Sequence, residues 1–189
     1  MALIHTLQEA LNYSNDAVNV TRSELSNGND NQYANVEGSI LRLNPRDATY
    51  FVDMVRGQDN VGTTPLEFYL CRAKIAMAGH AGNCGENAAV AFAYLYVNGV
   101  HPIAIGSYDV ADHAFVLVGN DGNNWLSICD PWANLYGPVR ERHHWQDTIW
   151  RDVPPDNDMR IEITVTTPGS MILYTQATQY QGAIDAMEM

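Results

Sequence analysis

Gly82-Asn83-Cys84-Gly85-Glu86-Asn87 leads directly into Ala88-Ala89-Val90-Ala91-Phe92-Ala93-Tyr94-Leu95-Tyr96-Val97, and Asn98-Gly99 follows. All ten residues of 88–97 are hydrophobic. A helix apolar on every side must be buried on every side, so this stretch predicts a central helix over about 84–98 that stops at Asn98-Gly99. Upstream, Thr64-Pro65-Leu66-Glu67 combines a helix cap, a proline suited to the first turn and a glutamate three residues later. It predicts a helix reaching about Ala78. Asn44-Pro45-Arg46-Asp47 opens in the same way and predicts a helix over roughly 45–56.

Downstream the period changes from 3.6 to 2. Residues 101–105, 113–118 and 125–130 are rich in Val, Ile and aromatics, and 160–166 alternates Ile161, Ile163 and Val165 with Glu162, Thr164 and Thr166. These read as strands. Residues 131–158 are loop-rich, with Pro131, Pro138, Pro154 and Pro155, and 171–187 reads as a helical tail. Helices first and neighbouring strands afterwards define an α+β fold with an antiparallel sheet. At the front, Leu3, Leu7 and Leu11 suggest a short amphipathic helix over 3–12. Residues 13–37, rich in Asn, Asp, Ser and Gly, read as loop or disorder. The expected organisation is a polar leader, 1–37, followed by a folded body, 38–189.

Ten Lys+Arg against 22 Asp+Glu leave a formal charge of −12 over 189 residues. This excludes the basic face that nucleic acids or anionic membranes require. No apolar run approaches the ~18 residues of a membrane span. The opening residues lack the basic and apolar regions of a Sec signal. Three cysteines, Cys71, Cys84 and Cys129, form no disulfide framework and suit a reducing compartment. Lys74 is the only lysine. Lysine is the ubiquitination site, so a chain working in a eukaryotic cytosol gains lifetime by lacking it; compositional drift is the plain alternative.

Cys84 opens the buried helix. A helix N-terminus carries about half a positive charge, which favours a thiolate, and glycines 79, 82 and 85 let other groups approach. His113 begins a strand, and Asp130 ends the next one. If Asp121-Gly122 forms a two-residue turn between them, His113 faces Asp130 directly across the hairpin. That arrangement lets a carboxylate orient an imidazole. Cys71 and Cys129 read as core. His143-His144 with Asp147 chelates poorly, because adjacent histidines diverge. No metal and no cofactor is expected, and no phosphate-binding glycine loop occurs.

Gly82-Asn83-Cys84-Gly85-Glu86, Asn98-Gly99-Val100, His113-Ala114-Phe115-Val116 and Cys129-Asp130-Pro131-Trp132 together resemble the transglutaminase-like branch of the papain-like superfamily. They look most like the cysteine-dependent protein deamidases and proteases among bacterial toxins and translocated effectors. The resemblance spans roughly residues 79–137. It implies a buried helix bearing Cys84, packed on an antiparallel sheet bearing His113 and Asp130. It also implies Cys84 as nucleophile, His113 as general base and then acid, and Asp130 as orienter. Residues 72–83 contain no Gln, where papain-like proteases usually carry an oxyanion donor. The Cys84 N–H is one donor, and Asn83 or another backbone N–H stands in for the second. His80 and Trp132 are candidates to line the cleft.

The expected reaction is glutamine deamidation of a target protein, a host protein in the effector setting, through a thioester. Peptide-bond cleavage is the alternative, followed by transglutamination and acyl transfer. Loops 57–64, 106–112 and 131–158 would set the substrate. A non-enzymatic acidic binding module is the reading from another class. An effector would be delivered by a specialised system into a target-cell cytoplasm; otherwise the chain is cytoplasmic.

Overall fold

Thr6 and Thr64 each open a helix by the same device. The hydroxyl accepts the N–H of the glutamate three residues on, and that carboxylate takes the threonine N–H, a reciprocal capping box. The first helix, α1, runs Leu7–Glu24, and the second, α2, Pro65–Gly79. The apolar run forms α3, Cys84–Val97. The computed structural model describes residues 2–26, 28, 64–108, 112–139 and 159–169. The helices expected over 45–56 and 171–187, and the His143-His144-Asp147 group, lie outside these residues.

The fold is α+β. Strands β3 (Ile103–Tyr108), β4 (His113–Asn120), β5 (Trp125–Asp130), β6 (Leu135–Pro138) and β7 (Met159–Val165) form one antiparallel sheet in the order β6-β5-β4-β3-β7. A separate parallel pair joins β1 (Ala2–Leu3) to β2 (Val100–His101). The β6 strand falls inside the stretch read as loop. Its pairing partner β5 supplies what its own four residues do not announce.

Each face of the sheet has its own core. Ile103, Ile105, Val116, Val118 and Cys129 pack with α1, α2 and α3 in the larger cluster. Ala104, Tyr108, Phe115, Leu117 and Ile128 pack on the other face. In α3 every residue from Glu86 to Ala93 is buried, as are Leu95 and Tyr96. No helix among the described residues is long and apolar enough to cross a membrane.

The front of the chain requires a correction. The helix does not stop at residue 12. It continues to Glu24 and belongs to the core, burying Ala10, Ser14, Ala17, Val18 and Thr21 against β4, β5, β6 and α3. Two of the three leucines that suggested a buried stripe point outward, Leu3 at 51% and Leu7 at 41% exposed, while Leu11 is half-buried. Apart from Val18, the buried face is made of small side chains at helical spacing, which let the helix lie close to the sheet. Ser14 Oγ reaches Ser127 Oγ of β5 at 2.9 Å. Residues 7–24 are therefore no detached leader.

The hairpin register also differs from expectation. Val116 pairs with Cys129, Val118 with Ser127 and Asn120 with Trp125. The loop is four residues, 121–124, rather than two. Asp121 Oδ1 accepts the N–H groups of Asn123 and Asn124, and Gly122 takes φ +97°, a left-handed conformation that suits glycine. Continued along the strands, this register sets Phe115, not His113, opposite Asp130. His113 is its diagonal neighbour. The displacement is an even number of residues, so the period of two still leaves both side chains on one face.

Candidate active site

The three expected residues meet at one rim of the sheet, where β4 begins and β5 ends. His113 and Asp130 are in phase with Phe115 and Ile128 on the face away from the helices. His113 Nε2 lies 2.7 Å from Asp130 Oδ2, and both side chains are buried. Asp130 Oδ1 accepts the N–H of Ala133 from the following turn at 3.2 Å, so each carboxylate oxygen is held from a different side. Trp132 is 1% exposed, and its ring centroid lies 5.2 Å from that of His113. It shields the His–Asp pair from water.

Cys84 arrives from the helical layer. Its residue is half-buried, and Sγ lies 3.5 Å from the carbonyl oxygen of Asp112, which accepts the S–H. Asp112 sits in the left-handed region at φ +45°, immediately before β4. Cys84 lies within electrostatic reach of the His113 side chain. Burial acts to lower the His113 pKa, but the Asp130 charge and hydrogen bond outweigh it, and with Cys84 they push the value up to about 10. The imidazole therefore keeps its proton through neutral pH.

The other two thiols stand apart. Burial pushes the Cys71 pKa up, and burial followed by the nearby Asp130 charge pushes that of Cys129 well up. Cys129 faces the helices, opposite to Asp130, as strand alternation requires.

His80 does not join the cluster through any described contact. It caps α2 with φ +51°, is exposed, and donates from Nδ1 to the Glu24 carbonyl at 2.8 Å. It ties the end of α1 to the turn before Cys84. Asn83 is buried directly before Cys84, but its backbone N–H is committed to Glu86 Oε2 at 2.8 Å. Any oxyanion role for Asn83 therefore falls to its side chain.

Sequence reasoning passed over Glu86. Its side chain is fully buried and pairs with Arg72 Nη2 of α2 at 3.0 Å. Gly82 is required here, since a Cβ on it would sit 2.2 Å from the Glu86 Cβ. The signal was present: Glu86 stands three residues after Asn83, the same spacing as in Thr64 and Glu67. Among the described residues, no three His, Cys, Asp or Glu side chains converge on a possible metal position.

No protein-family model matches the chain, and no curated protein shows significant similarity to it.

Proposed function

We propose that the chain is a papain-like or transglutaminase-like cysteine hydrolase that converts a protein glutamine carboxamide to the acid. The observation that carries this reading is the half-buried Cys84 beside a buried imidazole that Asp130 grips at Nε2. A core histidine needs only one partner. Here Asp130 holds one end of the ring, and the ring lies within electrostatic reach of a thiol at a helix start.

The chemistry follows from the protonation of His113. Cys84 gives its thiol proton to solvent; the thiolate Sγ is the nucleophile, and the already protonated His113 beside it balances the charge. Sγ bonds to the amide carbon, and the carbonyl electron pair moves to oxygen. The Cys84 N–H stabilises that oxyanion. His113 then gives its proton to the amide nitrogen, the C–N bond breaks and ammonia leaves a thioester. Neutral His113 next takes a proton from water, whose oxygen attacks the thioester. The C–S bond breaks, the acid leaves, and Cys84 and His113 return to their starting states. Asp130 keeps the ring aligned throughout.

Peptide-bond cleavage by the same Cys84, His113 and Asp130 is the alternative. The effector setting rests on the resemblance. The test is incubation with a cytosolic protein extract, read by mass spectrometry against Cys84→Ala. Conversion of glutamine to glutamate that depends on Cys84 supports the reading. Cys84-dependent fragments mean proteolysis, and amine adducts mean transglutamination. Identical profiles for the two proteins favour the acidic binding module.

A further inference from the structure

The two residues before Cys84 have all four of their backbone polar groups occupied. The Gly82 N–H donates to the Gly28 carbonyl at 3.2 Å. The Gly82 carbonyl accepts from Asn87 Nδ2 at 2.8 Å. The Asn83 N–H donates to Glu86 Oε2, and the Asn83 carbonyl accepts both Asn87 Nδ2 at 2.9 Å and the Asn87 N–H at 2.9 Å. Glu86 and Asn87, both fully buried, thus hold one short strand from its two edges. Arg72 braces Glu86 from α2. The next backbone donor along the chain is the Cys84 N–H. As the first residue of α3, it has no carbonyl partner within its own helix.

Burying a carboxylate is costly unless it is paired and hydrogen-bonded. An ordinary capping box needs no buried ion pair; those at Thr6 and Thr64 work at exposed positions. A donor aimed at an oxyanion, in contrast, is effective only if it is fixed before charge develops. We propose that Glu86, braced by Arg72, and Asn87 are positioning residues that fix the Gly82-Asn83-Cys84 backbone so that the Cys84 N–H serves as the oxyanion donor. This rests on the hydrolase reading above. Neither residue touches the reacting atoms.

Two reagents separate this role from thiol activation and from simple structural support. p-Nitrophenyl acetate acylates Cys84 through a tetrahedral oxyanion, expelling p-nitrophenolate. Iodoacetamide alkylates the same sulfur by displacing iodide, with no oxyanion. In full-length Glu86→Gln, acylation of Cys84 should fall about tenfold or more while alkylation stays within about threefold of wild type. Asn87→Leu should give the same split. Unchanged acylation overturns the proposal, and so does a parallel fall of both rates. Thermal melts accompany each variant. If Glu86→Gln does not fold, Asn87→Leu decides; loss of folding in both makes these residues folding elements and also overturns a positioning role. The underlying hydrolase reading fails by a separate result, namely wild-type Cys84 acylated no faster than Cys71 or Cys129.

Discussion

His113 Nε2 and Asp130 Oδ2 lie 2.7 Å apart with both side chains buried, and this contact makes stability depend on pH. The His113 pKa stands at about 10, against its ordinary 6.5. The folded state therefore binds a proton that the unfolded chain has released. Its stabilising contribution is complete below about pH 6.5 and is lost as pH rises towards 10. The urea midpoint should decline steadily across that window. Asp130→Asn removes the carboxylate charge and should flatten the slope. A wild-type midpoint that does not change between these pH values would contradict the pairing.

The three thiols differ in access as well as in chemistry. Cys71 and Cys129 are buried with raised pKa values, whereas Cys84 is half-exposed beside His113. With limiting iodoacetamide at about pH 6.5, peptide mapping should place nearly all the label on Cys84. Equal labelling of the three, or a preference for Cys71, would remove the basis for a nucleophilic role.

Cys84→Ala and His113→Ala should each lower glutamine hydrolysis by about a thousandfold or more and leave the far-ultraviolet circular dichroism unchanged. Asp130→Asn should lower it less, since the nucleophile and the imidazole both remain and only the ring's alignment suffers. His80→Ala should keep most of the activity, because His80 is tied to the Glu24 carbonyl. If His113→Ala stayed active while His80→Ala did not, the proton-transfer role would have to move to His80.

Trp132 packs against the His113 ring and is almost fully buried. Trp132→Ala should cost about 3–5 kcal/mol of stability and admit water to the His–Asp pair. The His113 pKa, followed by NMR, should then fall towards its ordinary value as solvent screens Asp130. A pKa that stays high in the folded variant would show that shielding by Trp132 has no part in the shift.

The helices and the sheet were legible where side chains announce their own burial. The all-apolar run 88–97 and the Thr64–Glu67 cap each carry a complete local signal. The His113–Asp130 contact was legible through parity alone. The turn was displaced because the Asp121 carboxylate holds two N–H groups beyond it, yet an even displacement preserves the face. Glu86 was missed because a carboxylate in an otherwise apolar helix reads as solvated until Arg72 of another helix is seen beside it. The continuation of α1 was missed because its buried face is Ala10, Ser14, Ala17, Val18 and Thr21, with Val18 its single large apolar side chain. Small and polar side chains carry almost no hydrophobic signal, and only the closeness of β5 explains them.

That small-residue face supports the last prediction, which reverses the one the leucines suggest. If Leu7 were core, shortening it would cost several kcal/mol; at 41% exposure, Leu7→Ala should change stability by about half a kcal/mol or less. Ala17 is fully buried, and Ala17→Leu should force the helix away from the sheet at a cost of about 1–3 kcal/mol. Truncation to residue 38 tests the same point more severely. It removes the helix that covers β4, β5 and β6 and both tethers to the turn before Cys84, the Glu24 carbonyl on His80 and the Gly28 carbonyl on Gly82. The shortened protein should lose its cooperative thermal transition, and Cys84 should lose its selective reactivity. A truncated chain that still melts cooperatively and still labels at Cys84 would restore the N-terminal segment to a dispensable leader.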